Sequence, residues 1–282
     1  MGLRDVVPAA RALVLSCHPG PTLAVTMLAV LLTVAAGADA AVAVRVSLVV
    51  LVGQLSIGWS NDWLDAARDA AVGRTDKPVA AQTVSAATVR GAAWVALALC
   101  VPLSLSLGVR AAVAHAVVVT GGWAYNVGLK ATAWSWLPYA VSFAALPAVA
   151  VLALPGAHAA PWWLLATGSL LGVGAHLTNA LPDLEDDRAT GVNGLPHRLG
   201  RRSTGIVAPL LLASGSVVVA LAPAGPPTVV GWAGLAVAVA VLLAAGMAAA
   251  TRPASRLPFA ASILVALVDV VLLVVTGSAL TV

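Results

Sequence analysis

One polar spacing occurs twice in this chain: Asn61-x3-Asp65-x3-Asp69 returns as Asn179-x3-Asp183-x3-Asp187. Residues four apart drift by only about 40° around a helix, so each triplet is expected on one helix face. Asp62 and Asp76 join the first region, Glu185 and Asp186 the second, and together the two regions hold eight of the eleven acidic residues. Only Asp5, Asp39 and Asp269 stand elsewhere. Carboxylates this concentrated, in a chain that is 61% hydrophobic, call for a counter-charge. Oxygen-only donors suit Mg²⁺, and Asn61, Asp62, Asp65, Asp69, Asn179, Asp183 and Asp187 are the candidate ligands.

Carboxylates alone would also serve a cation pathway, but the bases beside them argue for an anionic ligand. Arg68, Arg74 and Lys77 follow the first triplet, Arg188 and Arg198 follow the second, and Lys130 lies between. Acids for Mg²⁺ together with bases for non-bridging oxygens are what a diphosphate requires. Mg²⁺ keeps waters and bridges a few carboxylates to phosphate, so not every acid need be a direct ligand. Arg201, Arg202, Arg252 and Arg256 have no motif around them and are assigned to topology.

The elements that hold these residues are membrane helices. Charged residues make up 9% of the 282, against about 25% in a soluble domain, and mean hydropathy is +0.99. A β-barrel would show short alternating segments; here the apolar runs have the length of spanning helices. About nine are expected, near 21–38, 42–62, 82–103, 110–129, 135–154, 161–181, 203–222, 228–249 and 258–280, in one transmembrane domain over 1–282. Residues 1–17, with Arg4, Asp5 and Arg11, form an amphipathic segment on the membrane surface. The net charge of +4 reflects a membrane-face bias rather than a nucleic-acid partner. Cys17 and Cys100 have no metal or redox spacing, and no cleavable signal peptide or obligate protein partner is indicated.

With the N-terminus inside, thirteen Lys and Arg residues fall on the inner face and only Arg45 and Arg110 outside. The positive-inside rule therefore places the N-terminus and both acidic regions in the cytoplasm and the C-terminus outside. Helices two and six carry the triplets at equivalent ends. That suggests two pseudo-repeated four-helix units plus a ninth helix, arranged around a central cavity. A diphosphate at the cytoplasmic rim of such a cavity suits a long isoprenyl tail lying among apolar helices.

At this point the chain resembles the UbiA superfamily of intramembrane prenyltransferases. Asn61-Asp62-Trp63-Leu64-Asp65-Ala66-Ala67-Arg68-Asp69 fits that family's NDxxDxxxD motif, and Arg74-Thr75-Asp76-Lys77-Pro78 resembles its basic-Pro element. Tyr125-Asn126-Val127-Gly128-Leu129-Lys130 resembles its Tyr…Lys element, and the run from Asn179 to Arg188 its second aspartate motif. Two departures are Asn179, where many members have Asp, and Val79-Ala80-Ala81-Gln82, where a Ser-Gly turn is common. The resemblance implies a Mg²⁺-dependent transfer, with two or more ions, from an allylic prenyl diphosphate to an acceptor, an aromatic ring foremost. Asp65, Asp69, Asp183, Asp187, Lys130 and Tyr125 would be its catalytic residues. Arg68, Arg74, Lys77, Lys130, Arg188 and Arg198 would hold the diphosphate.

Other residues divide less sharply. Asp269 is an acid inside the last expected span, a functional candidate by default and equally a structural hydrogen-bond partner. Asp5 and Asp76 are read as surface charges. Trp59, Trp63, Trp123, Tyr125, Trp134, Trp136 and Tyr139 lie near the expected cavity; Tyr125 is assigned to the site and the others are left open between belt and cavity. His18 is an interface residue near the head group, His115, His158 and His176 are not ligands, and His197 is unassigned. The alternatives are a terpene cyclase of the same superfamily, which needs no acceptor, and a cation transporter, whose carboxylates belong at the bilayer midplane in broken helices. The glycine- and arginine-containing aspartate motif of a CDP-alcohol phosphotransferase is absent.

Overall fold

The computed structural model describes residues 3–156, 159–252, 255–276 and 280. Met1 and Gly2 of the amphipathic segment, His158 and residues 277–279 of the expected last span lie outside the described residues. The helices run in the order α1 (Leu3–Ser16), α2 (Pro19–Ala35), α3 (Ala40–Ala71), α4 (Ala86–Leu105) and α5 (Val109–Val127), then a 3-10 turn (Leu129–Ala131). They continue with α6 (Trp136–Leu152), α7 (Trp162–Ala180), α8 (Leu184–Ala189), α9 (Leu195–Leu221), α10 (Val229–Thr251) and α11 (Leu257–Thr276). No strand occurs among the described residues.

Long helices stand at each of the nine expected spans. Five of them, α3, α4, α9, α10 and α11, are long and apolar enough to cross a bilayer, and the pair α1–α2, bent by 58°, makes a sixth. The chain is an integral, multi-pass membrane protein, but these criteria do not reach nine crossings. α6 is a shorter apolar helix of 17 residues, and α5 and α7 carry the buried polar residues His115 and His176. Helix starts follow local chemistry: Asp39, Ser85 and Thr228 accept hydrogen bonds from the backbone N–H groups of Val42, Thr88 and Gly231.

α2, α3, α5, α6, α7 and α11 form a closed ring, with α11 returning to α2. α4 packs outside it against α3 and α5, and α10 against α9 and α11. Close approach at the N-terminal bend depends on Gly58 of α3, where a Cβ would lie 2.2 Å from the backbone oxygen of Cys17. The same bend is tied down by Trp59, whose indole N–H donates to Leu13 O at 2.9 Å. Together these contacts hold the α1–α2 turn, with His18 in it, against the acidic end of α3.

The second triplet departs from the single helix face expected of it. α7 ends at Ala180, and Asp183 precedes the separate short helix α8. Pro182 explains the break, since it has no N–H to donate and its ring crowds the carbonyl four residues back. Asn179, Asp183 and Asp187 thus come from a helix end, a turn and a second helix, whereas Asn61, Asp65 and Asp69 share the continuous α3.

Candidate active site

The ring encloses a cavity of about 690 Å³. At one end its wall carries Asn61, Asp65 and Asp69 from α3, and Asn179, Asp183 and Asp187 face the same space from α7 and α8. Arg68, Arg74, Asp76, Lys77, Lys130 and Tyr125 complete this polar end. The rest of the wall is mainly apolar.

Asp65 is the best-partnered acid. Its Oδ2 accepts from Asn61 Nδ2 at 3.1 Å and lies 2.7 Å from Arg68, and its Oδ1 meets Lys130 Nζ. Asn126 fixes Asn61: its Oδ1 accepts from Asn61 at 3.1 Å, while its Nδ2 donates to Ile57 O at 2.9 Å and Ser60 Oγ at 2.8 Å. Lys130 sits on the 3-10 turn with 9% of its surface exposed. Burial pulls its ammonium below the ordinary lysine range, and the Asp65 carboxylate opposes that pull. Glycine at 194 lets the second half approach Lys130, because a Cβ there would lie 2.6 Å from Lys130 O.

The loop after α3 folds back over the acids. Val79 and Val84 bury against Ala12 and Val89, beside Trp59 and Trp63; the departure at Val79 from the family's usual turn thus becomes an apolar anchor. The anchored loop places Lys77 Nζ 2.9 Å from His18 Nε2, 3.4 Å from Asn61 Oδ1, 3.5 Å from Asp62 Oδ1 and 4.0 Å from Asp69 Oδ2. His18 adopts a left-handed backbone (φ 56°), and its pKa is pulled down to about 3, by burial first and the Lys77 charge second. The ring is therefore neutral and accepts from the lysine. Arg74 makes a two-pronged pair with Asp76 at 2.9 and 3.0 Å and reaches Asp183 at 3.8 Å, linking the two acidic regions. That hydrogen-bonded pair pulls Asp76 down to about 2.

Several expected assignments change. Asp62 is 1% exposed and off the cavity wall; it meets Lys77 and accepts from Val79 N at 3.4 Å, tying down the loop, and its Oδ1 has no hydrogen-bond partner. Arg188 donates to His197 O and Arg198 to Asn193 O (3.0 Å), and neither lines the cavity. Both brace the α8–α9 connection, where a helix break turns their side chains away from the acids. In the other direction, Asp76, read as a surface charge, positions Arg74 at the mouth. Arg256, read as topological, lines the rim 3.9 Å from Asp183. His197 pairs with Asp187 at 3.2 Å.

Of the seven aromatics singled out, Tyr125 and Tyr139 reach the wall, and Phe143 joins them. Tyr125 meets Tyr139 edge-on at 5.1 Å, and Tyr139 stacks between Phe143 (6.0 Å) and His176 (4.7 Å). Trp59, Trp63, Trp123, Trp134 and Trp136 are off the wall. Trp123, for example, packs on Trp94 and donates to Ser56. Asn126, His18 and Phe143 carried little signal in the sequence: an amide beside a recognised motif, a lone histidine and a lone aromatic.

The residues present fit divalent metal in one sense. Asp69 Oδ2 is buried without a hydrogen-bond partner, and the opposed donors are all oxygens, as Mg²⁺ prefers. No three His, Cys, Asp or Glu residues among those described converge tightly enough to cage an ion by themselves. Oxygens from a ligand would have to complete such a site.

The sequence model of the UbiA prenyltransferase family matches residues 22–277. Among solved structures, the fold is similar to a UbiA homologue from Aeropyrum pernix K1 in its apo form (TM-score 0.74, 16% identity, 91% of this chain and 98% of that one). It is also similar to a UbiA homologue from Archaeoglobus fulgidus bound to GPP and Mg²⁺ (TM-score 0.69, 16% identity, 93% and 99%). A third is a structure of digeranylgeranylglyceryl phosphate synthase (TM-score 0.67, 14% identity, 94% and 99%). No curated protein matches significantly by sequence. With the family's sequence pattern running through all the helices that build the cavity, this chain belongs to the UbiA prenyltransferase family.

Proposed function

We propose that the protein transfers an isoprenyl group from an allylic prenyl diphosphate to an acceptor, an aromatic ring foremost, with Mg²⁺ required. The carrying observation is the polarity of this cavity. Carboxylates and bases from both halves of the chain crowd one end, and apolar side chains line the rest. The Archaeoglobus fulgidus homologue was solved with GPP and Mg²⁺ and with DMAPP and Mg²⁺, which supports the same donor class here.

In this reading Asn61, Asp65, Asp69, Asn179, Asp183 and Asp187 hold Mg²⁺, which supplies Lewis-acid neutralisation of the diphosphate. Arg68, Arg74, Lys77 and Lys130 bind its free oxygens, with Arg256 at the rim. As the C1–O bond breaks, its electron pair leaves on the diphosphate, and these cations stabilise the charge that develops there. Tyr125, which lines the same wall and has only edge-on ring neighbours, would offer its ring to the allylic cation, since aromatic quadrupoles favour positive charge. The acceptor's π electrons form the new C–C bond, and the acceptor carbon then releases its proton. The whole chain acts as one transmembrane domain, with the N-terminus and the site on the cytoplasmic side.

Product analysis by mass spectrometry tests this. Membranes containing the protein are incubated with prenyl diphosphates of several lengths, a panel of acceptors, and Mg²⁺ or EDTA. A prenylated acceptor that forms only with Mg²⁺ is expected. A cyclic hydrocarbon from donor alone would identify a cyclase instead, and consumption of no donor would overturn both.

A further inference from the structure

The apolar part of the cavity contains polar groups that the transfer does not use. Asp269 on α11 is 2% exposed; its Oδ2 accepts from Ser216 Oγ at 3.0 Å, and its Oδ1 has no partner. Thr167 on α7 is 4% exposed, and its Oγ1 is likewise unpartnered. Gln54 on α3 faces the same cavity. Gln54 lies eleven positions from Asp65 on α3, Thr167 twelve from Asn179 on α7, and Asp269 thirteen from Arg256, which directly precedes α11. At 1.5 Å per residue that is roughly 17, 18 and 20 Å. Three helices therefore present polar side chains at nearly one depth. Just beyond, Leu32, Leu164 and Leu273, members of one buried cluster, line the cavity.

We propose that Gln54, Thr167 and Asp269 form a polar belt that selects the donor by tail length, favouring allylic diphosphates of two or three isoprene units. This rests on the diphosphate reading above and adds the length of the hydrocarbon, shorter than the long tail expected from the sequence. The belt's unpartnered oxygens retain water or another hydrogen-bonding partner. A hydrocarbon pushed past them displaces that partner and offers nothing in return, which leaves buried polar atoms unsatisfied. An extended chain advances about 1.2 Å per bond, or about 5 Å per isoprene unit. After the head group takes the first several ångström, two or three units reach the belt. A fourth must pass it.

Binding of non-reactive prenyl thiolodiphosphates with two, three, four and nine isoprene units tests this, measured on the full chain in detergent with Mg²⁺. The matching prenyl alcohols serve as blanks for partition into micelles. The two- and three-unit compounds should bind about tenfold or more tighter than the nine-unit one, since the longer chain strands the belt's polar atoms. In Thr167→Val/Asp269→Leu that ratio should fall below about threefold, whereas Asp269→Asn, which keeps a polar side chain, should preserve it. If the double variant does not fold, Thr167→Val alone is read, and it should narrow the ratio. Equal binding of all lengths by the unaltered protein, or an undiminished ratio in a folded belt variant, refutes the belt but leaves the diphosphate reading intact. Binding of no length at all refutes both.

Discussion

Removing the charge of Lys130 is the sharpest probe of the proposed leaving-group chemistry. Lys130 is 9% exposed, at the cavity end where both acidic regions meet, and Asp65 is the partner of its ammonium. In Lys130→Met the apolar stem is retained and Asp65 keeps Arg68 at 2.7 Å and Asn61 at 3.1 Å. No carboxylate is stranded, so folding should survive. The loss is concentrated in the transition state. A buried, prepositioned donor to a developing oxyanion is worth about 10²–10³ in rate, or about 2.7–4 kcal/mol. Initial rates at saturating donor, in membranes matched for folded protein, should fall by that factor. Arg256→Ala is not a valid control, because that residue lies 3.9 Å from Asp183 on the rim. Arg202, exposed and off the cavity wall, is the suitable one, and Arg202→Ala should leave the rate within about twofold, as surface changes do. Equal small effects from Lys130→Met and Arg202→Ala would reduce Lys130 to a topological charge and remove it from the site.

Three further outcomes are expected. Gly58→Val would drive a side chain into Cys17 O, where even a Cβ would lie 2.2 Å away; the α1–α2 bend must shift, and thermal unfolding in detergent should show a loss of about 1–3 kcal/mol. His18 has a folded-state pKa of about 3, so the unfolded chain gains a proton near pH 6.5 that the folded one refuses. Stability is complete above that pH and declines as pH falls from about 6.5 towards 3; the fall in Tm between pH 7 and 4 should be smaller in His18→Gln, and identical slopes would show that the ring does not titrate as its burial implies. Single cysteines at Thr75 and Ala189 should label from the cytoplasmic face and one at Ala224 from the other; opposite labelling of the first two would rule out a shared site.

How much was legible in the sequence depended on whether the signal was local. Asn61, Asp65 and Asp69 lie on an unbroken helix, so their spacing alone placed them on one face. The second triplet has the same spacing, but Pro182 sits inside it and breaks the helix. Proline's missing N–H should have outweighed periodicity there. Arg188 and Arg198 were assigned by proximity in sequence, and the break turned them to the α8–α9 connection. Arg256 was missed for the opposite reason: it is 73 residues from Asp183 and meets it only because the ring closes. Asn126, which orients Asn61, belongs to the same class of long-range contact. Apolar length located the long helices well, yet could not say which groups on their inner faces would converge.

The charge balance of the polar end leads to a last prediction. Five carboxylates line it (Asp65, Asp69, Asp76, Asp183 and Asp187), and so do five cations (Arg68, Arg74, Lys77, Lys130 and Arg256). His18 is neutral and Asp62, just behind the wall, pairs with Lys77, so the site is within one charge of balance and its bases are engaged with nearby acids. A diphosphate entering alone would have to take those bases from the carboxylates, leaving several negative charges uncompensated in a partly buried space. Divalent ions entering alone would meet acids already neutralised. Entering together, each releases the partner the other needs, and the site stays near balance. Binding of diphosphate and Mg²⁺ should therefore be strongly and reciprocally coupled, as linkage requires of any two ligands. With a non-reactive prenyl thiolodiphosphate, Mg²⁺ should tighten binding by about 10²-fold, the upper part of the usual coupling range. Asp69→Asn removes a carboxylate whose Oδ2 has no hydrogen-bond partner and should weaken that coupling while improving binding without metal. Undiminished coupling in folded Asp69→Asn would take Asp69 out of the metal site, and binding equally tight with EDTA would refute the metal role altogether.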